Sequence, residues 1–251
     1  MNNMEHYPVL SKEIIKKLKI KDNGIYIDCT LGLGGHTRLI AERAINGRVI
    51  SFDQDRQIME YAKKSLKDLK NITFVSDNFS NIKNVLNGLG IRKVDGVLYD
   101  LGTSYYQLTD ENRGFTYHGE TKLDMRMNID QNLSAIDVLN NYSKDELVNI
   151  LFKYGDEPRS HRIAEAIIKY RSKKEITLNT ELNEIIKSVK GYVKDKHPSK
   201  NIFQAIRIEV NNEIVVIQES INDAITMMKK GSIIVVITFH SLEDRTVKNI
   251  F

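Results

Sequence analysis

A predicted strand runs into a glycine-rich loop in Ile25-Tyr26-Ile27-Asp28-Cys29-Thr30-Leu31-Gly32-Leu33-Gly34-Gly35-His36. A second predicted strand, Arg48-Val49-Ile50-Ser51-Phe52-Asp53, ends at a carboxylate. Glycines in such a loop let backbone N–H groups approach a ligand closely, and a carboxylate about 20 residues further on can accept the two hydroxyls of a ribose. The two stretches together predict a site for a nucleoside-containing cofactor.

The details of the loop favour S-adenosylmethionine (SAM) over a dinucleotide. After Gly32 and Gly34, the third glycine of a G-x-G-x-x-G pattern would fall at position 37, which is Thr37. Asp28 would repel a pyrophosphate but would suit the cationic end of SAM. An NAD(P)-dependent oxidoreductase on the same kind of sheet stays as an alternative.

Composition indicates an ordinary globular chain, with 251 residues, 41% hydrophobic and 28% charged. Its one cysteine, Cys29, excludes an internal disulfide and a multi-cysteine zinc site, and the six histidines are scattered, so we expect no metal. The N-terminus lacks the apolar run of a signal peptide, and the most apolar run, Ile233 to Phe239, is too short to span a bilayer. We therefore expect a cytoplasmic protein without a membrane partner.

The net charge of +4 is unevenly distributed. Between Lys153 and Arg207 there are 13 Lys and Arg against 7 Asp and Glu, a surplus of 6 that exceeds the surplus of the whole chain. Such a cluster is either a solvated helical face or a surface for the phosphate backbone of a nucleic acid.

Strand and helix patterns alternate along much of the chain, which predicts a doubly wound α/β sheet. The predicted strands are Ile25–Cys29, Arg48–Asp53, Ile72–Val75, Val94–Leu101 and Ser232–Phe239. The predicted helices around them are Ser11–Leu18, His36–Ile45, Arg56–Leu69 and Phe79–Leu89.

The gap of some 130 residues between the fourth and fifth strands is far longer than a crossover needs. It predicts a helical insertion over 113–208, between two segments of the sheet domain, 1–112 and 209–251. Within it we expect helices at Ser134–Asn140, Lys144–Tyr154, His161–Lys173 and Glu181–Val193, the last one capped by Thr177 or Asn179. An amphipathic stretch from Phe203 to Lys229 would then be stopped by Gly231.

Several blocks are more specific than these patterns. They are His6-Tyr7-Pro8-Val9-Leu10, the Gly32–His36 loop, Asp100-Leu101-Gly102-Thr103-Ser104, Gln107-Leu108, Arg113-Gly114-Phe115, Leu123-Asp124-Met125-Arg126-Met127, Phe203-Gln204-Ala205-Ile206-Arg207-Ile208-Glu209-Val210-Asn211 and Phe239-His240-Ser241-Leu242-Glu243-Asp244-Arg245. In this order, over roughly Glu5 to Phe251, they resemble the RsmH (MraW) family of bacterial methyltransferases, which act on N4 of a cytosine in the decoding centre of 16S ribosomal RNA.

The resemblance implies a SAM-binding Rossmann-like sheet with an inserted helical domain. It assigns cofactor contacts to Gly34, Gly35, His36, Asp53 (ribose), Phe79 (beside the adenine), Asp100 and Gln107. It implies 16S rRNA within the small ribosomal subunit as the partner. The same fold without activity, as an RNA-binding or ribosome-assembly protein, is a second alternative. We expect a monomer or a weak dimer.

The chain also departs from the family. Thr103-Ser104-Tyr105-Tyr106 stands where the family usually has Val-Ser-Ser-Pro, so a fixed φ is lost in that loop. Enzymes of this class usually complete the sheet with two more strands, and this family continues with a basic segment. The sequence supplies neither, so we interpret it as truncated.

Three residues at predicted strand ends are candidates for catalysis: Asp100, His240 and Ser241. Asp100 either positions the substrate or cofactor or acts as a general base. Tyr105 and Tyr106 either stack on an extruded base or pack on the insertion. The residues expected to contact RNA phosphates are Arg159, Arg162, Arg171, Lys173, Lys174, Lys194, Lys196 and Lys200. Asp124 and Arg126 either pair with each other or touch RNA, and pairing is favoured.

Overall fold

The computed structural model describes residues 8–191 and 197–251. They form two compact units: the chain up to Ser104 together with Ile214–Phe251, and the intervening Tyr105–Glu213. The first is called the sheet unit here and the second the helical unit.

The sheet unit contains five parallel strands among its described residues, in the order β3-β2-β1-β4-β5. The strands are β1 Ile25–Asp28, β2 Arg48–Phe52, β3 Ile72–Val75, β4 Val94–Asp100 and β5 Met228–Ile237. The helices are α1 Ser11–Leu18, α2 Gly35–Ala41, α3 Arg56–Ser65, α4 Ile82–Gly88, α11 Glu213–Thr226 and α12 Ser241–Ile250, with a 3-10 turn at Phe79–Asn81. The predicted α/β sheet is thus confirmed, and its chain order reverses beside β1, where ligands bind in such folds.

Apolar packing on both faces explains why the strands read as continuous hydrophobic runs. One face packs against α4 and α11 through residues such as Phe52, Tyr99 and Ile221, and the other covers Tyr26 and Val49 with α1 and α2. Because the strands are parallel, every carboxyl end lies at the same edge. That edge carries the glycine loop, Asp53, Asp100 and the segment after β5.

The fifth strand begins earlier than predicted. Gly231 does not stop a helix but lies inside β5, where the pairing with β4 shifts register between Val94 and Gly96. Its φ of +83° suits a residue without a Cβ at such an irregularity.

The helical unit contains α5 Tyr105–Thr109, α6 Ala135–Asn141, α7 Lys144–Gly155, α8 Ser160–Arg171, α9 Asn179–Lys190 and α10 Lys200–Asn211. It has its own core, which includes Leu139, Ile167 and Ile206. Serines with a carboxylate three residues later begin two helices as capping boxes, Ser134 for α6 and Ser143 for α7.

Two details of the helical predictions are wrong. The amphipathic stretch from Phe203 is two helices, because Asn212 adopts a left-handed conformation with φ +51° between α10 and α11. The start of α9 depends on Glu181, whose carboxylate accepts from the backbone N–H groups of Thr177 and Leu178. Asn179 instead accepts from the N–H of Thr121, so neither predicted residue is the cap.

No helix in the described parts of the chain is long and apolar enough to cross a membrane.

Candidate active site

The glycine loop is built to bring backbone close to a ligand at the carboxyl edge of β1. Leu31 N–H donates to the Phe52 carbonyl at 2.8 Å, which holds the start of the loop against the end of β2. Gly34 has a φ of +88° and directly precedes α2, and a Cβ there would lie 2.7 Å from Leu66 Cδ1. The position therefore requires glycine, and the N-terminus of α2 opens where the loop ends.

Asp53 joins the end of β2 to this loop. Its Oδ2 accepts from Gly32 N at 3.0 Å and its Oδ1 from Asp55 N at 2.9 Å. Burial raises the pKa of the Asp53 carboxyl to about 7, and the repulsion from Asp55 adds to the rise against those two hydrogen bonds. A carboxylate fixed in this way keeps lone pairs with which to accept ribose hydroxyls.

Asp28 does not do what its sequence position indicates. Its carboxylate is fully buried, with Oδ1 accepting from Thr30 N at 3.1 Å and Oδ2 from the Thr37 hydroxyl at 2.7 Å. Burial raises the pKa of the Asp28 carboxyl. The prediction that Asp28 meets the cationic end of a cofactor is wrong, because the carboxylate is inside the protein.

Thr37 has a structural role that the sequence analysis did not predict. Besides Asp28, its hydroxyl meets the Ser51 hydroxyl at 2.8 Å, and Thr37 and Ser51 are both fully buried. Together the two residues tie the first turn of α2 to the ends of β1 and β2. The sequence contained a sign of this role, because a residue with a hydroxyl group stands where a dinucleotide-binding loop has its third glycine.

Asp100 lies at the carboxyl end of β4, as predicted. Its backbone N–H donates to Thr30 Oγ1 at 2.7 Å, and its Oδ2 lies 3.5 Å from His36 Nδ1. The other nitrogen of the buried His36 ring is 2.8 Å from the Val9 carbonyl, so the ring is held by backbone. Asp100 keeps about a quarter of its side chain exposed at this edge.

Phe79 follows β3 in the 3-10 turn, with its ring edge-on to Tyr99 at 5.6 Å between centroids. Its carbonyl accepts from the Ser220 hydroxyl at 2.9 Å, and that hydroxyl also meets Tyr99 Oη at 2.7 Å. The turn that carries Phe79 is thereby fixed to the crossover helix α11. Phe79 remains partly exposed, so its predicted contact with an adenine stays a prediction.

His240 and Ser241 follow β5, at the same edge. The His240 side chain caps α12, with Nδ1 accepting from Glu243 N at 3.4 Å and Nε2 lying 3.2 Å from Glu243 Oε1. Ser241 is exposed and is the first residue of α12. His240 thus has a structural role in this arrangement, and catalytic roles for either residue stay predictions.

Three predicted site residues lie on α5 of the helical unit. Gln107 is buried within α5, Tyr106 is partly exposed and Tyr105 has 45% of its surface exposed. Their predicted contacts with cofactor and RNA stay predictions.

The predicted RNA contacts divide into two groups by their partners. Arg159 donates to the last carbonyls of α9 (Val189 and Lys190), Arg171 to the Leu139 carbonyl, and Lys174 pairs with Glu181. These three therefore have roles inside the unit, which the charge pattern did not reveal. Arg159, Arg162, Lys173, Lys174 and Lys200 are exposed and Arg171 is partly exposed, while Lys194 and Lys196 lie outside the described residues.

The predicted pairing of Asp124 and Arg126 is confirmed. The guanidinium donates to both carboxylate oxygens, from Nε at 2.9 Å and from Nη2 at 2.7 Å. Arg113 donates to the carbonyls of Arg126 and Met127, so the block is fixed from both sides.

The family model that matches the chain is described as the MraW methylase family and covers residues 3–251. A Ribosomal RNA small subunit methyltransferase H from Finegoldia magna is 46% identical over 98% of this chain and 81% of its own length. One from Clostridioides difficile is also 46% identical, with the same coverage of both chains. A solved rRNA methylase from Streptococcus thermophilus is 20% identical over 40% of this chain and 58% of its own, with a TM-score of 0.33, which supports no conclusion here. From the family match and the curated relatives, the chain belongs to the MraW methylase family.

Proposed function

We propose that this chain transfers a methyl group from SAM to N4 of a cytosine in the decoding centre of 16S rRNA. The curated relatives carry the name of a small-subunit rRNA methyltransferase and match nearly the whole chain. The observation that carries the cofactor assignment is the Asp53 carboxylate, held by Gly32 and Asp55 at the end of β2.

The residues at the carboxyl edge fit the parts of SAM by their chemistry. Asp53 offers acceptors for the ribose hydroxyls, Phe79 offers an apolar surface for the adenine, and Gly35 and His36, at the start of α2, offer backbone N–H groups.

SAM supplies the electrophilic methyl group, so the protein must position and desolvate the attacking amino group. The lone pair of a cytosine amino group is delocalised into the ring. An acceptor on its N–H groups favours the rehybridised, nucleophilic form. Asp100, at the end of β4 with 23% of its side chain exposed, provides that acceptor, mainly as a positioning group. Once the methyl carbon has bonded to the nitrogen and its bond to sulfur has broken, the amino proton passes to this acceptor and S-adenosylhomocysteine is left.

Calorimetric titration with S-adenosylhomocysteine, followed by methyl transfer to undermethylated small subunits, tests this function. Micromolar binding and labelling of one cytosine are expected. An Asp100→Asn variant that keeps cofactor affinity but loses transfer would favour the general base, and retention of both would exclude either role. A chain that binds subunits but transfers nothing would instead be an RNA-binding or assembly protein.

A further inference from the structure

Phe239 is an exposed aromatic residue at the edge of the sheet where the reaction is proposed to occur. Phe239 has 58% of its surface exposed, so its apolar ring lies at the surface and is available to a ligand. It lies two residues beyond the end of β5, which pairs with β4 so that Ile237 is opposite Asp100.

The register places Phe239 near Asp100. Because Ile237 pairs with Asp100, only Thr238 separates Phe239 from the residue opposite that carboxylate. The segments that follow β4 and β5 stay adjacent beyond the ends of these strands, since a Cβ at Gly102 would lie 3.5 Å from Phe239 Cδ2. Glycine at position 102 places no side chain on that flank of the ring.

A buried carboxylate fixes the backbone that carries this exposed ring. The Phe239 N–H donates to Glu243 Oε2 at 2.7 Å, and Glu243 has no exposed surface. Glu243 is in the first turn of α12, where His240 caps the helix. Burying a carboxylate is costly unless it is hydrogen-bonded, so the orientation of this turn is tightly specified even though the ring it presents contacts solvent.

We propose that Phe239 is a substrate-binding residue whose ring stacks on the target cytosine. This inference rests on the proposed function. Chemistry on a base edge requires the base to leave its stack, and an extruded base is stabilised by stacking on an aromatic side chain. The Phe239 ring can then cover one face of the cytosine while the amino group of the cytosine donates to the Asp100 carboxylate.

A binding titration tests the proposal. It uses a labelled single-stranded cytidine oligonucleotide in the presence of saturating S-adenosylhomocysteine, and fluorescence anisotropy measures the affinity. Phe239→Leu retains apolar volume but removes the aromatic face, so we expect affinity to fall at least about fivefold, within the usual range for a lost base stack. Phe239→Trp should restore affinity to within about twofold, because it restores the π surface. A purely structural role would not distinguish these variants in this way.

Tyr61→Leu is the matched control, because Tyr61 is 50% exposed in the same unit but lies on α3. It should leave oligonucleotide affinity unchanged, and all three variants should bind S-adenosylhomocysteine like the unaltered chain. The proposal is overturned by unchanged oligonucleotide affinity in Phe239→Leu, by an equal loss of cofactor affinity, or by absence of binding in the unaltered chain. Failure of the proposed function is a separate result: no methyl transfer by the unaltered chain to undermethylated subunits.

Discussion

At the scale of single residues, the shape of the glycine loop depends on hydroxyl groups that lie beneath it. Thr37 donates to Asp28 and contacts Ser51, all three side chains being inaccessible to solvent. A buried carboxylate that loses a donor costs more than a surface one, because water cannot replace the lost bond. The buried Thr37, Ser51 and Asp28 therefore hold the glycine loop that is proposed to contact the ligand.

Thr37→Val tests this dependence, since valine keeps the shape of threonine and removes the hydroxyl. We expect a loss of about 1–3 kcal/mol in the free energy of unfolding, together with weaker binding of S-adenosylhomocysteine. Urea denaturation and calorimetry measure the two effects. Thr37→Ser keeps the hydroxyl and should retain most of both. Equal stability of Thr37→Val and the unaltered chain would contradict this interpretation.

Asp53 should make cofactor binding depend on pH near neutrality. Burial raises its pKa to about 7, so the carboxyl is mostly neutral at pH 6 and mostly ionised at pH 8. The ionised form accepts two ribose hydroxyls, so affinity for S-adenosylhomocysteine should rise up to about tenfold over this range. Asp53→Asn should bind more weakly, with that rise removed. If the rise in affinity persists in Asp53→Asn, Asp53 is not the group that causes it.

The same shift has the opposite consequence for the stability of the chain without cofactor. The folded pKa lies above the unfolded value, so the folded state holds a proton that the unfolded state releases between about pH 4 and 7. The contribution of Asp53 to stability is therefore present below about pH 4 and is lost as the pH rises towards 7. Cofactor bound to the ionised form would offset part of this loss.

At the scale of elements, the start of α9 is capped by Glu181, which the sequence pattern did not identify because it pointed to Thr177 or Asn179. Glu181 accepts from two backbone N–H groups ahead of the helix and pairs with Lys174. The pKa of Glu181 is lowered to about 2, because Lys174 and those N–H groups outweigh its desolvation. Its contribution to stability is thus complete above about pH 4.5 and is lost as the pH falls towards 2.

Glu181→Gln should destabilise the helical unit by about 1–2 kcal/mol at pH 7, because one amide oxygen replaces a charged acceptor. Thermal unfolding measures the change, and the difference from the unaltered chain should shrink below pH 4. Lys174→Met is the control: 68% of that side chain is exposed, so its ion pair is screened by solvent. If Lys174→Met costs as much as Glu181→Gln, the ion pair rather than the cap stabilises this element.

At the scale of the whole molecule, the basic stretch from Lys153 to Arg207 lies in the helical unit, which as a whole has 17 Lys and Arg against 17 Asp and Glu, while the predicted cofactor residues are mostly in the sheet unit. Part of the basic charge of that stretch is already used within the helical unit, as with Arg159 and Arg171. Charge counted along a sequence therefore overstates what is available to a partner.

Binding to undermethylated small subunits should weaken steeply with salt, because neutralising phosphates releases counterions. Replacing Arg162 and Lys173 by alanine should lower the slope of log affinity against log salt by roughly 0.7 to 0.9 for each phosphate that is no longer neutralised. Filter binding over a salt series measures the slope. Lys64→Ala, an exposed lysine on α3 of the sheet unit, should not change it. Salt-independent binding would refute the assignment of these residues to phosphates.

The sequence alone located the first four strands to within one residue at each end, because strands covered on both faces must be apolar almost throughout. It also determined the parallel order that gathers the glycine loop, Asp53 and Asp100 at one edge, since crossover helices separate the strands. The blocks resembling a known family added the chemistry expected there. Helix ends were predicted less well, since Asn212 interrupts an amphipathic pattern that continues on both sides of it.

Only the tertiary structure decided which partner each polar side chain meets. Asp28 could face either the ligand or the protein, and packing against Thr37 turned it inward. The sequence predicted Arg171 as a contact for RNA phosphates, whereas its guanidinium donates to the Leu139 carbonyl. It predicted Phe239 as the end of an apolar strand, whereas the ring is exposed. Periodicity reports the average burial of an element, whereas hydrogen-bond partners come from segments far apart in the chain, which only packing brings together.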